Sequence, residues 1–321
     1  MTETLKKPEA SDRGPEMNAG ERFHSLLVPV DLTAISDRVL GRVALLPFAD
    51  GARITLLHVV PKKLPVRAQE RAERDARKSL GNEARHLAKA LPRSVDVEAV
   101  VKVGSAAAEI AECATSTRAE LIVMGRGGSR AIRDTFLGST AERVIRRGQL
   151  PVLAVRLAPR AAYARPAVAL DLDPGSEDVL ALMLRLIAPP RPRVAMIHAY
   201  DTPYQGMIYP SLSQEDADEW RDELGQEATQ QIAKLLAAAL VRANVSPAEA
   251  PTWKMHVQCG SARLVIEKVV KKADTDLLVL GTHGYSGVAH VLLGTVAGDV
   301  LREVACDVLV VPGLRRAEEP A

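Results

Sequence analysis

The chain repeats itself, and that limits its fold to two copies of one unit. An apolar run, LLVPVD, ends at Asp31, and a second, AVALD, ends at Asp171. A histidine follows 27 residues later in both copies, His58 in TLLHVV and His198 in AMIHAY. Gly104 in VVKVGS pairs with Gly260 in HVQCGS, and 21 residues on Gly125 in LIVMGRGG pairs with Gly281 in LLVLGTHG. A further 13 residues lead to Gly138 in FLGST and Gly294 in LLGTV. Another 13 lead to Pro151 and Asp307, which open PVLAV and DVLVV. Only one interval differs: His58 to Gly104 is 46 residues, whereas His198 to Gly260 is 62. The spacing assigns the 16 extra residues to one connection, near Tyr200 to Glu215. The expected layout is a disordered tail (1–21), a first domain (22–157), a linker (158–163), a second domain (164–314) and a short tail (315–321).

Within copy one, Leu26–Asp31 is continuously apolar, as a strand covered on both faces requires. Ile35–Pro47 has helical apolar spacing, and Ile54–Val60 reads as a second strand. Ala68–Leu91 is a long charged helix with one apolar stripe at Leu80, Ala84, Leu87 and Leu91. Val95–Val103 alternates like a strand, and Ser105 is placed to cap the helix AAAEIAECA. Leu121–Met124 is a fourth strand, Thr140–Arg147 a helix and Val152–Arg156 a fifth strand. Alternating elements of these lengths specify an α/β fold: two tandem, doubly wound, five-stranded parallel-sheet domains of the Rossmann-like kind. The expected strand order is 3-2-1-4-5, which opens a ligand crevice where strands one and four diverge.

After strand four both copies fit G-x2-G-x9-G-[ST]. Copy one uses Gly125, Gly128, Gly138 and Ser139; copy two uses Gly281, Gly284, Gly294 and Thr295. A polyphosphate needs unshielded backbone N–H groups. Glycine permits that close approach, and a helix N-terminus adds free donors and the positive end of the dipole. Neither G-x4-G-K-[ST] nor G-x-G-x-x-G is present.

At this point the sequence resembles the universal stress protein family. VPVDL, LLHVV, VVKVGS, LIVMGRGG, FLGST and PVLAV carry the resemblance, together with their copy-two partners VALDL, MIHAY, HVQCGS, LLVLGTHG, LLGTV and DVLVV. It spans both domains. It implies ATP as ligand, with or without Mg²⁺. By position it carries a nucleotide-holding role to Asp31, Val59, Met124, Gly125, Gly128, Gly138, Ser139 and Thr140. In copy two the matching set is Asp171, Ala199, Leu280, Gly281, Gly284, Gly294, Thr295 and Val296. A cytoplasmic stress-response protein, acting as a homodimer or an intramolecular pseudo-dimer, is implied in the same way. Copy one departs from the pattern at Arg126-Gly127, where copy two has Thr282-His283. Its Glu142, just inside the phosphate-facing helix, is expected to oppose phosphate, with Arg126, Arg130 and Arg133 as an offset.

Composition narrows the classes. A net charge of +2, spread along the chain, and 3% aromatic residues argue against a nucleic-acid partner. No apolar run is long enough to span a membrane. Cys113, Cys259 and Cys306 have no disulfide or metal spacing, and no metal site is expected from the side chains alone. No HExxH, GxSxG or paired acid–base set appears, so no catalytic residue is expected and weak ATP hydrolysis is the upper bound on activity. Asp31 and Asp171 read either as ribose or Mg²⁺ ligands or as turn carboxylates. His58 and His198 read as satisfied core histidines, and His283 as either a phosphate neighbour or a solvated loop residue. Tyr200, Tyr204 and Tyr209 mark the extra segment as a lid or an interface piece. Three functions follow: an ATP-binding regulator, a nucleotide-free scaffold of the same fold, or an adenylyl-transferring enzyme. The last is disfavoured because no SGGxDS-like loop follows strand one. The apolar last strands, VLAVRL and VLVVPGL, are edges suited to pair between copies or between chains.

Overall fold

Strands that are apolar on both sides need helices on both sides, and the alternating elements supply them. In the computed structural model, residues 22–125, 139–147, 150–173, 175–187, 189–201, 213–282 and 294–313 are described. The first repeat runs β1 (Phe23–Pro29), α1 (Ala34–Val43), β2 (Phe48–Pro61), α2 (Val66–Ala90), β3 (Asp96–Gly104), α3 (Ala106–Ser116), β4 (Leu121–Gly125), α4 (Ser139–Arg147) and β5 (Val152–Val155). The second runs β6 (Pro166–Ala169), α5 (Ser176–Leu186), β7 (Val194–Tyr200), α6 (Gln214–Arg242), β8 (Trp253–Cys259), α7 (Ala262–Lys272), β9 (Leu277–Gly281), α8 (Thr295–Glu303) and β10 (Asp307–Val311).

Each half has the expected 3-2-1-4-5 order, and all its strand pairs are parallel. The halves join edge to edge into one ten-stranded sheet, β3-β2-β1-β4-β5-β10-β9-β6-β7-β8. The junction is antiparallel, with Val308 opposite Ala154, Leu309 opposite Leu153 and Val310 opposite Val152. The apolar edges at the end of each copy thus satisfy each other within one chain. Because that junction reverses direction, the carboxyl ends of the two strand sets lie at opposite ends of the sheet.

Two cores cover the sheet and run across both repeats. Leu26, Val28, Ile54 and Leu56 face Leu80, Val179, Leu180 and Ile232 on one side. Leu27, Leu57, Leu278 and Val308 face Ile110, Val144, Val265 and Leu301 on the other. This is the two-residue alternation of a strand packed on both faces.

Local signals hold in most places and fail in a few. Thr33 caps α1 by accepting from the Ile35 N–H, and Ser213 with Asp216 forms a capping box on α6. Ser105, expected to cap α3, makes no side-chain cap bond. Its backbone carbonyl accepts from Ala108 and Glu109 instead. α1 stops at Val43, short of Pro47, while β2 starts earlier than expected, at Phe48.

The extra residues of copy two are not confined to one loop. The crossover between β7 and β8 is longer in three places. Residues 201–213 precede its helix where copy one has 62–65, α6 has 29 residues against 25 for α2, and 243–252 follow where copy one has 91–95.

Candidate functional sites at the two switch points

A crevice opens beyond the carboxyl ends of the strands in each half, where β1 and β4, or β6 and β9, part to opposite helices. Crevice one has a volume of about 250 Å³ and crevice two about 210 Å³. Asp31, Val59, Met124, Gly125, Ser139 and Thr140 all line crevice one. Asp171, Ala199, Leu280, Gly281, Gly294 and Val296 line crevice two. Thr295 is not among the residues lining crevice two. Gly128, Gly138, Gly284, His283, Arg126, Arg130, Arg133, Tyr204 and Tyr209 lie outside the described residues.

The sequence pattern missed the helical walls. Ser36 and Val39 of α1, with Ala106 and Ile110 of α3, line crevice one. Ser176 and Val179 of α5, with Ala262 and Ile266 of α7, occupy the same places in crevice two. The apolar ones read as core spacing, because that periodicity is the same whether they face a sheet or a cleft, and Ser36 and Ser176 add nothing to it. Gly125 allows α1 to come close: a Cβ there would lie 2.9 Å from Ile35 Cγ2. The aligned Val39 and Val179 Cγ2 atoms would lie 3.2 Å from a Cβ at Gly125 and 3.3 Å from one at Gly281.

At the mouth of each crevice the backbone is strained at the same position. Leu32 has φ 58° and Leu172 φ 64°, both in the left-handed region. For a side chain with a Cβ this costs about 1–2 kcal/mol, and strain of this kind clusters at functional sites. The preceding aspartates hold the turns. Asp31 Oδ1 accepts from Thr33 N (3.1 Å), Thr33 Oγ1 (2.7 Å) and Ser36 Oγ (3.0 Å). Asp171 Oδ1 accepts from Asp173 N (3.4 Å) and Ser176 Oγ (3.3 Å). Both carboxylates therefore do the work of turn acceptors while lining a crevice. In copy two Asp173 stands where copy one has Thr33, and it also lines the crevice. Its own Oδ1 accepts from Gly175 N at 2.9 Å. Burial, then the neighbouring Asp171, pushes the Asp173 carboxyl above the usual aspartate range.

Both strand histidines are tied to a backbone carbonyl and line the crevices, His198 buried and His58 half-buried. His58 Nδ1 is 2.9 Å from the Val30 carbonyl, and His198 Nδ1 is 2.8 Å from the Leu170 carbonyl. A carbonyl only accepts, so Nδ1 carries the hydrogen in both rings. Glu142, expected to oppose phosphate, is not among the residues lining crevice one and is paired with two arginines. Arg146 Nη2 (2.8 Å) and Arg302 Nη2 of the other repeat (3.3 Å) both bind its Oε1. The Arg146 hydrogen bond leads in holding the carboxyl below its usual range. Tyr200 packs onto α6, its hydroxyl donating to the Arg221 carbonyl at 2.9 Å. Burial raises the Cys113 thiol and pushes Cys306 up to about 12, so both stay protonated. Among the described residues no three or more His, Cys, Asp or Glu side chains converge as a metal site. No described helix is long and apolar enough to cross a membrane.

Fold and site together define a class: a tandem doubly wound α/β protein with one open crevice at each switch point. The universal stress protein family model matches residues 22–156 and 163–312. The chain therefore belongs to the universal stress protein family. A universal stress protein of Mycolicibacterium smegmatis is 24% identical, over 90% of this chain and 97% of that one. One of Mycobacterium tuberculosis is 27% identical over 199 residues, and this chain spans 62% of the length of such mycobacterial relatives. Among solved structures, a universal stress protein from Archaeoglobus fulgidus matches with a TM-score of 0.64 at 18% identity, covering 90% of this chain and 98% of that one. A functionally unknown protein from Pseudomonas aeruginosa gives 0.62 at 17%, covering 91% and 94%. At these identities the structural likeness bears on the fold alone.

Proposed function

We propose that this chain is an ATP-binding regulatory protein of the cytoplasm, with one nucleotide site in each of two binding units, residues 22–157 and 164–314. One observation carries the reading. Asp31 and Asp171, Val59 and Ala199, Met124 and Leu280, and Gly125 and Gly281 are matching positions that line an open crevice in each repeat, and each crevice meets the start of a helix. α4 and α8 begin at Ser139 and Thr295, directly after the third glycine of each motif. Their first N–H groups have no partner within the helix, which suits an anion. The crevices are smaller than a typical ligand pocket of roughly 300–1,000 Å³, so a triphosphate would extend beyond the cleft. Mg²⁺ suits a site with one or two carboxylates plus substrate phosphates. Asp31 alone, or Asp171 with Asp173, fits that donor set. No residue is assigned a catalytic role. Regulation would follow from mass action, the nucleotide favouring one arrangement of the chain or of a homodimer.

Mass analysis of nucleotide released from the purified protein tests this directly, and ATP is expected. Added ATP should raise the melting temperature, by the equivalent of about 2.7 kcal/mol for each occupied site at a hundredfold excess over Kd. Gly128→Glu together with Gly284→Glu should abolish that rise. A ligand-free protein whose melting is indifferent to ATP would favour the scaffold reading.

A further inference from the structure

Two buried arginines cross between the repeats in the same chemical arrangement. Arg42, in the last turn of α1, has its Nε 3.2 Å from Asp307 Oδ2 at the start of β10, with the two side chains 4% and 0% exposed. Its Nη1 donates to the Ala161 carbonyl at 3.0 Å, and its guanidinium lies 3.9 Å from the centroid of the Tyr163 ring. Arg185, in the last turn of α5, binds Glu120 Oε2 at 2.7 Å, with exposures of 5% and 12%. Its Nη2 donates to the Arg22 carbonyl at 2.7 Å, and it lies 4.3 Å from the centroid of the Phe23 ring. Each arginine thus takes a carboxylate, a carbonyl and an aromatic face. The sequence repeat does not generate the match. Arg42 aligns with Leu182, and Asp307 with Pro151.

Each carboxylate also pins the main chain of the first repeat. Asp307 Oδ1 accepts from Arg156 N (2.7 Å) and Leu157 N (2.8 Å), while its Oδ2 accepts from the Tyr163 hydroxyl (2.8 Å). Glu120 Oε2 accepts from His24 N (2.7 Å) and Ser25 N (3.3 Å). The helices held this way are the crevice walls. The first turns of α1 and α5 carry Ser36 and Ser176, and the next turns Val39 and Val179. α1 has 10 residues and α5 has 11, so each is a rigid rod of roughly 15 Å. Fixing the last turn of such a rod sets the position of the first.

We propose that Asp307 and Glu120 are positioning residues, each fixing through its arginine the crevice wall of the opposite repeat's arginine-bearing helix. Asp307, from repeat two, sets crevice one, and Glu120, from repeat one, sets crevice two. Each crevice is lined by its own repeat, while one of its wall helices is anchored by the other. That the crevices hold nucleotide rests on the function proposed above; the bracing itself does not.

Hydrogen exchange of the full chain, read by mass spectrometry, separates the two questions. Asp307→Asn is expected to speed exchange in α1 at least tenfold and leave α5 within twofold; Glu120→Gln is expected to do the reverse. Paired variants, Arg42→Met with Asp307→Asn and Arg185→Met with Glu120→Gln, remove both charges and should give the same helix-selective pattern if a single variant does not fold. ATP affinity gives the second readout. With crevice two blocked by Gly284→Glu, Asp307→Asn should weaken binding at least tenfold and Glu120→Gln less than twofold; with Gly128→Glu the order should invert. Equal loosening of α1 and α5, or no change in either, overturns the proposal. A wild-type chain that binds no ATP sinks the function reading, and the exchange pattern then decides the bracing alone.

Discussion

The two repeats build the same crevice with different helices, and the contrast separates what the site needs from what the fold needs. α5 is buried at every position but Glu177, because α6 lies over it and Arg242 of α6 binds Asp178 at 2.6 Å. α1 has a solvent side, with Asp37 and Arg38 exposed, and its cover comes partly from the linker. The added length in the second repeat goes into α6 and its flanks. It leaves the crevice geometry alone: Ser36 and Ser176, Val39 and Val179, Leu32 and Leu172 keep corresponding places. Helix burial varies between the repeats, then, while the strained turn and the wall residues do not.

The largest way to break this comparison is to remove the anchor of α1 and leave that of α5 in place. Arg42→Met leaves Asp307 buried without its cation, which should cost about 3–5 kcal/mol. Adding Asp307→Asn should recover most of that loss in urea denaturation, since Asn keeps an oxygen for the Arg156 and Leu157 amides. A single substitution costing under about 1 kcal/mol would show that the pair is not holding the helix.

A middle-sized effect is expected at Gly41, which aligns with Ala181. Alanine in a helix interior is normally favoured over glycine by about 1 kcal/mol. Here a Cβ would sit 2.8 Å from Pro159 Cγ in the linker. Overpacking costs about 1–3 kcal/mol, so Gly41→Ala should lower the melting temperature despite the better helix former. A rise would mean that the linker yields without cost.

The smallest effect sharpens the difference between the crevices. The Asp173 carboxyl is raised mainly by burial, so folding favours its protonated form. That contribution is complete below the ordinary aspartate range and is lost as pH rises through the folded-state value. Asp173→Thr restores the copy-one residue and its capping hydroxyl. It should match wild type in strong acid and become more stable by about 0.5 kcal/mol near neutral pH. Paired denaturation curves at several pH values would reveal it, and a gain that does not change with pH would contradict the assignment.

Much of the site was legible in the sequence where glycines, hydroxyls and strand ends recur at fixed spacing. Asp31, Met124 and Gly125, with Asp171, Leu280 and Gly281, mark strand ends in both copies, and chain topology alone puts such ends together. Ser36 and Val39 were not legible as wall residues, because helical periodicity reports that a face is covered and not by what. Of the two partners of Glu142, Arg146 stands four residues along the same helix and was legible, whereas Arg302 lies in the other repeat, 160 positions away, and was not. The length difference was assigned to one loop because an alignment gap has no secondary structure.

Local periodicity and the internal repeat were sufficient to determine two parallel five-stranded sheets and where each opens. Those properties follow from short-range side-chain alternation and from right-handed crossovers. Only the tertiary structure decided that β5 and β10 join antiparallel, that Leu32 and Leu172 bear left-handed backbone, and that each crevice helix is tied to the opposite repeat. These outcomes depend on which distant groups are buried together: a lone Arg42 or Asp307 reads as a surface charge until packing removes its water and leaves each as the other's counterion.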